Sequence, residues 1–115
     1  MPLFGREDFE KVVDVTLEEL PVEIARRIDN LVVVVEERDP HREGLLGFYQ
    51  GVSLRDRGMN YAGVLPDRIS IFMDTHLALG LDDEGTAEEI RRTVLHEIAH
   101  HLGIDDHRLQ ELGWG

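Results

Sequence analysis

Between residues 7 and 20 the apolar positions Phe9, Val12, Val13, Leu17 and Leu20 recur at the three- and four-residue intervals of an amphipathic helix. Pro21, which has no N–H to continue the helical ladder, interrupts it, and a second helical piece is expected over 22–28. Asp29-Asn30 then punctuates the chain, and the Leu-Val-Val-Val-Val run over 31–35 reads as a buried strand. Residues 36–60 are polar and glycine-rich around an apolar island at 45–49, which predicts a long excursion holding one short strand. The glycine-rich stretch 44–63 has the composition of a movable flap. The Ile-Ser-Ile-Phe content of 68–73 predicts another strand, leading into a loop over 74–85.

The best helical pattern covers 88–102. Ile90, Val94, Ile98 and Leu102 fall on one side of it, joined by Ala87 and Leu95. Thr86 reads as its N-cap, with Glu89 three positions on completing a capping box. A last short helix is expected over 105–112, capped by Asp105. Helix, helix, strand, short strand, strand, helix is the order of an α+β fold, a small sheet packed against helices, and it is read as one domain over 1–115.

The polar face of the long helix carries the chemistry. His96 and His100 are four residues apart, so their side chains stand one above the other at roughly 5–6 Å between Cβ atoms and can close on one ion. Glu97 borders them about 100° round the helix, which suits a general base that does not itself occupy the metal. Gly103 follows the last periodic residue and can take the left-handed conformation that ends a helix. The chain then turns back, and Asp106 can supply a third, oxygen ligand; His107 is the rival for that place. Three protein ligands and one open position make a hydrolytic zinc site. His101 lies at the azimuth of the apolar residues, so a packed, hydrogen-bonded role is expected for it instead.

The run His96-Glu-Ile-Ala-His-His-Leu-Gly-Ile-Asp-Asp106 resembles the H-E-x-x-H-x-x-G-x-x-H/D stretch of zincin metallopeptidases. The whole chain is similar to the small bacterial zincin-like metallopeptidases, through this run and through Gly44-Leu-Leu-Gly-Phe-Tyr-Gln-Gly-Val-Ser-Leu-Arg-Asp-Arg-Gly58 and Pro66-Asp-Arg-Ile-Ser-Ile-Phe-Met-Asp74. That resemblance implies a minimal zincin-like fold, zinc held by His96, His100 and Asp106, Glu97 as base, and a peptide or protein substrate. It also implies that an extended peptide pairs with the strand around 69–73. Larger metzincins carry a methionine turn after the third ligand, whereas here nine residues follow Asp106 and none is methionine. Met73 or Met59 could pack beneath the site from upstream, and ordinary core filling is the competing role for each.

Composition narrows the setting. The absence of cysteine excludes disulfides and thiolate metal sites. No apolar stretch approaches the roughly 20 residues that cross a bilayer, and Met1-Pro-Leu-Phe-Gly-Arg-Glu-Asp8 lacks a basic region followed by an apolar run, so a soluble, cytoplasmic protein is expected. A formal charge of −12 disfavours nucleic acid and anionic lipid and favours cationic partners or basic peptides. Two other functions compete with peptide hydrolysis. Ribosomal-RNA maturation endonucleases have a similar His-x-x-x-His, glycine, Asp-His ending, but with a small residue where this chain has Glu97. A metal-stabilised binding module without turnover is the other. Tyr49, Tyr61, Arg68 and His76 are oxyanion-stabilising candidates by residue type alone.

Overall fold

The computed structural model describes residues 4–58, 61 and 65–112, without the side chains of Asp106, Leu109 and Leu112. Helix α1 spans Arg6–Glu18 and buries Phe9, Val13 and Thr16, one stripe at helical spacing. Its entry is closed by Asp8, whose carboxylate accepts the Gly5 N–H at 2.9 Å. Helix α2, Val22–Ala25, is a single turn, shorter than the expected 22–28. None of its residues is buried, and a short helix without a docked face is not sustained.

Three strands form one sheet in the order β1-β3-β2: β1 is Leu31–Glu36, β2 is Gly47–Gln50 and β3 is Asp67–Phe72. Strand β1 runs parallel to β3 with Val33 opposite Ile69, and β2 runs antiparallel with Tyr49 opposite the same residue. The middle strand is accordingly the most buried, with Ile69 and Ile71 at zero exposure. Part of the glycine-rich stretch expected to form a flap is therefore sheet, followed by a 3₁₀ turn at Leu54–Asp56. Met59, Asn60 and Ala62 to Val64 lie outside the described residues.

The connection expected to be a loop over 74–85 contains α3, Met73–Leu77, and the start of α4, Asp83–Leu102. The cap of α4 is Asp82, whose Oδ1 accepts the Gly85 N–H at 2.7 Å, and Asp83 and Glu84 in the first turn complement the helix dipole. Thr86 is thus a buried residue of the helix, and Glu89 is released from any capping role. Met73 packs half-buried against the core.

Helix α4 packs on α1 and on strands β2 and β3. Its stripe of Ile90, Val94, Ile98 and Leu102 is 0–3% exposed and merges with Phe9 and Val13 of α1 and with Ile69 and Ile71 in one core. Each such side chain stabilises the fold by roughly 1.5–3 kcal/mol, so α4 is held in rotation as well as position. Its end follows the Schellman pattern: Gly103 sits at φ 81°, its N–H donates to His100 O at 3.0 Å, and the Ile104 N–H donates to Ala99 O at 2.9 Å. A Cβ at Gly103 would lie 2.6 Å from the Arg55 Cβ. Helix α5, Asp106–Leu112, follows, and Asp105 caps it as expected, its Oδ1 accepting the Arg108 N–H at 2.9 Å. Among the described residues, no helix is long and apolar enough to cross a membrane.

Candidate metal centre

The fixed rotation of α4 turns His96, Glu97 and His100 toward the same side. One ligand atom from each of the three lies within 4.8 Å of the others. The imidazoles of His96 and His100 stand 4.6 Å apart between centroids and are tilted by 59°. His100 Nδ1 is 3.5 Å from Glu97 Oε1, and Glu97 is 7% exposed while both histidines are half-buried. Two imidazole nitrogens converging beside a carboxylate fit the donor chemistry of a zinc ion, with the carboxylate placed to border the ion.

The third ligand divides differently. The backbone of Asp106 opens α5, and its side chain is outside the described residues. His107, the rival, is exposed, and its Nε2 lies 3.0 Å from Glu111 Oε1. It does not join the cluster with His96 and His100.

Glu97 is buried by β2. A Cβ placed on Gly47 would lie 2.7 Å from Thr93 Cγ2 and 3.2 Å from Glu97 Cγ, so only glycine lets the strand approach α4 this closely. The same approach forms a cavity of about 320 Å³ between Leu45, Leu46 and Gly47 on one wall and Thr93, His96 and Glu97 on the other. A larger hollow of about 910 Å³ lies around the first turn of α4, lined by Phe4, Leu77 and Asp82, and contains neither histidine. The small one has the chemistry beside it.

Strand β3, around which peptide pairing was expected, is flanked on both sides by β1 and β2. The strand that borders both the cavity and the sheet's margin is β2, so the expectation moves one strand over.

The four oxyanion-stabilising candidates have other partners, and none lines the cavity. Arg68 pairs with Glu36 at 2.6 Å, and Tyr61 accepts a hydrogen bond from Asn30 at 2.9 Å beneath the Arg57 guanidinium. His76 is fully buried; its Nδ1–H donates to Phe72 O at 2.7 Å, leaving Nε2, 2.8 Å from Thr93 Oγ1, as acceptor. Burial lowers the pKa of His76 and keeps it uncharged. Tyr49 donates to Asp67, and burial together with that carboxylate raises its phenol well above the ordinary range.

Asp67 is the centre of a network that sequence reasoning missed. At 1% exposure it accepts hydrogen bonds from Tyr49 Oη, from Val52 N–H at 3.2 Å, from Arg57 Nη2 at 3.0 Å and from His101 Nδ1–H at 2.9 Å. The Asp29 N–H donates to His101 Nε2 at 3.2 Å, which fixes the neutral Nδ1–H tautomer. Burial by itself raises the Asp67 pKa, but the donors from Tyr49, His101, Val52 and Arg57 outweigh it and hold the carboxyl below its usual value. His101 is structural, as its azimuth required. The one available signal was that histidine itself: an imidazole on an apolar helix face needs a buried polar partner.

A helix bearing His-Glu-x-x-His with its glutamate against an antiparallel margin strand defines a zincin-like protein. The sequence model of the zincin-like metallopeptidases matches residues 28–114, and the chain belongs to that family. No curated protein matches it. Among solved structures it is similar to a conserved hypothetical protein from Thermo thermophilus, with a TM-score of 0.57 and 25% identity over 86% of this chain and 94% of that one.

Proposed function

We propose that this chain is a zinc-dependent peptidase in which His96 and His100 hold the ion, Asp106 completes the ligand set and Glu97 is the general base. The observation that supports it most is the buried carboxylate of Glu97 standing 3.5 Å from a ligand imidazole while His96 and His100 converge. When bound, zinc supplies Lewis acidity, polarising a carbonyl and making water a competent nucleophile near neutral pH. Glu97 Oε1 then takes the proton of the attacking water and returns it to the amide nitrogen as the C–N bond breaks, so one carboxylate serves both proton transfers. At 7% exposure Glu97 is largely shielded from bulk solvent. The outer edge of β2 offers its backbone N–H and C=O groups to an extended substrate, giving affinity without regard to side chains.

Elemental analysis together with turnover of an unstructured protein tests this reading. Stoichiometric zinc should fall sharply in His96→Ala and Asp106→Ala, and Glu97→Gln should keep zinc and lose at least a hundredfold in rate, the lower range for a general base. Zinc-loaded protein that cuts no peptide, or a Glu97→Gln variant that cuts as well as the parent, would overturn it.

A further inference from the structure

The cavity beside Glu97 does not end at His96. It continues along α4 toward the N-terminus, where Arg92 and Glu89 complete its lining. Glu89 is seven residues before His96, two turns along the same face, which puts it about 10 Å up the helix axis. Its side chain is 27% exposed, and among the described residues its carboxylate forms one ion pair, with Arg92 Nη1 at 3.5 Å. The Arg92 side chain is itself 57% exposed. Such a pair is loose, screened and readily exchanged for another cation. Leu45, Leu46 and Thr93 line the same cavity as Glu89 and His96.

We infer that this hollow receives one long basic side chain of the substrate, lysine or arginine, its aliphatic stem between Leu45, Leu46 and Thr93 and its cationic head on the Glu89 carboxylate. The inference rests on the peptidase reading and deepens it by naming a substrate class. Lysine and arginine are the side chains that reach furthest along the cavity from a bond held beside His96 toward Glu89. A purely apolar one would cover the Glu89 carboxylate without replacing its solvent. An acidic one would approach both Glu89 and Glu97, in a chain with 24 acidic and 12 basic residues. The net charge of −12 also raises the local concentration of cationic peptides over anionic ones.

Two measurements on the full chain decide it. In the first, zinc-supplemented protein is given a library of quenched peptides with each position varied. Lysine or arginine at one position flanking the cut bond should exceed leucine by roughly tenfold in kcat/KM, the scale of one partly screened charge-assisted hydrogen bond. In Glu89→Gln that lysine-to-leucine ratio should fall close to one; because the ratio is taken within one variant, a change in the amount of folded protein cancels. In the second, N-acetyl-lysine N-methylamide is titrated into isotopically labelled protein, with and without zinc, and amide shifts should concentrate at residues 44–47 and 89–97 and be absent with the leucine analogue. Cleavage without a basic preference, or a preference that Glu89→Gln leaves intact, overturns this inference and leaves the peptidase reading standing. Localised lysine shifts in a protein that cuts nothing overturn the peptidase reading and leave the pocket standing. Absence of both cleavage and shifts overturns the two together.

Discussion

Replacing Asp67 by asparagine keeps the size of the side chain and exchanges one acceptor oxygen for an NH₂ donor. Every group that reaches this carboxylate is a donor: a phenol, a backbone N–H, a guanidinium and the Nδ1–H of His101. The new NH₂ must therefore face one of them, and at 1% exposure no solvent can take up the mismatch. The Arg57 side chain, 9% exposed, loses its buried counter-charge and keeps the Asp29 carboxylate and two backbone carbonyls. Breaking a buried pair outright costs about 3–5 kcal/mol, and the retained contacts reduce that to roughly 3 kcal/mol. With an unfolding entropy of about 2.1 cal/mol/K per residue, a chain of 115 residues should lose about 12 °C in Tm. Differential scanning calorimetry measures both. The pH dependence carries an independent check. A carboxyl whose folded pKa lies below its unfolded value adds stability that is complete above the unfolded pKa, about 3.9, and disappears as pH falls through the folded one. The parent should therefore lose stability below about pH 4 more steeply than Asp67→Asn. A loss under 1 kcal/mol, or parallel acid limbs, would refute the role given to this network.

Gly47→Ala should cost about 1–3 kcal/mol by overpacking, because its Cβ would sit 2.7 Å from Thr93 Cγ2, and it should lower kcat/KM by moving β2 away from Glu97. Adding Thr93→Ser, which removes that methyl and keeps the hydroxyl, should restore most of both; no restoration by urea titration and peptide assay would show the contact to be unimportant. Thr93→Val keeps the methyl and removes the hydrogen bond to buried His76 Nε2, so urea unfolding should show a loss of roughly 1–3 kcal/mol, and an unchanged midpoint would remove His76 from the packing of α4 on α3.

The apolar stripe of α4 was legible because four residues at helical spacing have one way to be buried together, and the pairing of His96 with His100 follows from the same geometry. The left-handed end at Gly103 and the cap at Asp105 were legible from local backbone chemistry. The start of α4 was not, because Thr86-x-x-Glu89 and Asp82-x-x-Gly85 both offer a cap, and burial of Thr86 against the core decides between them. Strand order was also out of reach, since the continuous Leu31–Val35 run suggested the buried strand, and Asp67–Phe72, of the same length as β1, lies in the middle. Asp67 carried no local signal: its partners come from 10 to 34 residues away.

His100 and His101 are consecutive, and α4 sends them in different directions. A step of about 100° per residue turns His100 to Glu97 and His101 to Asp67, at 3.5 Å and 2.9 Å respectively. A rotation of α4 would carry His96, Glu97 and His100 together but pull His101 off Asp67, so the core network helps set the azimuth at which His96 and His100 present their imidazoles. If the network acts through that rotation, its two sides are energetically coupled. Asp67→Asn and His101→Gln, made singly and together, should then be non-additive by about 0.5–3 kcal/mol, because either change alone already leaves the shared hydrogen bond unmade. The same variants should bind zinc more weakly by up to the tenfold to hundredfold typical of groups that orient metal ligands, although neither residue stands among His96, Glu97 and His100. Competition with a chromophoric chelator measures the affinity. Additive stabilities, or zinc binding equal to that of the parent in both single variants, would mean that the rotation of α4 is set by its apolar stripe alone.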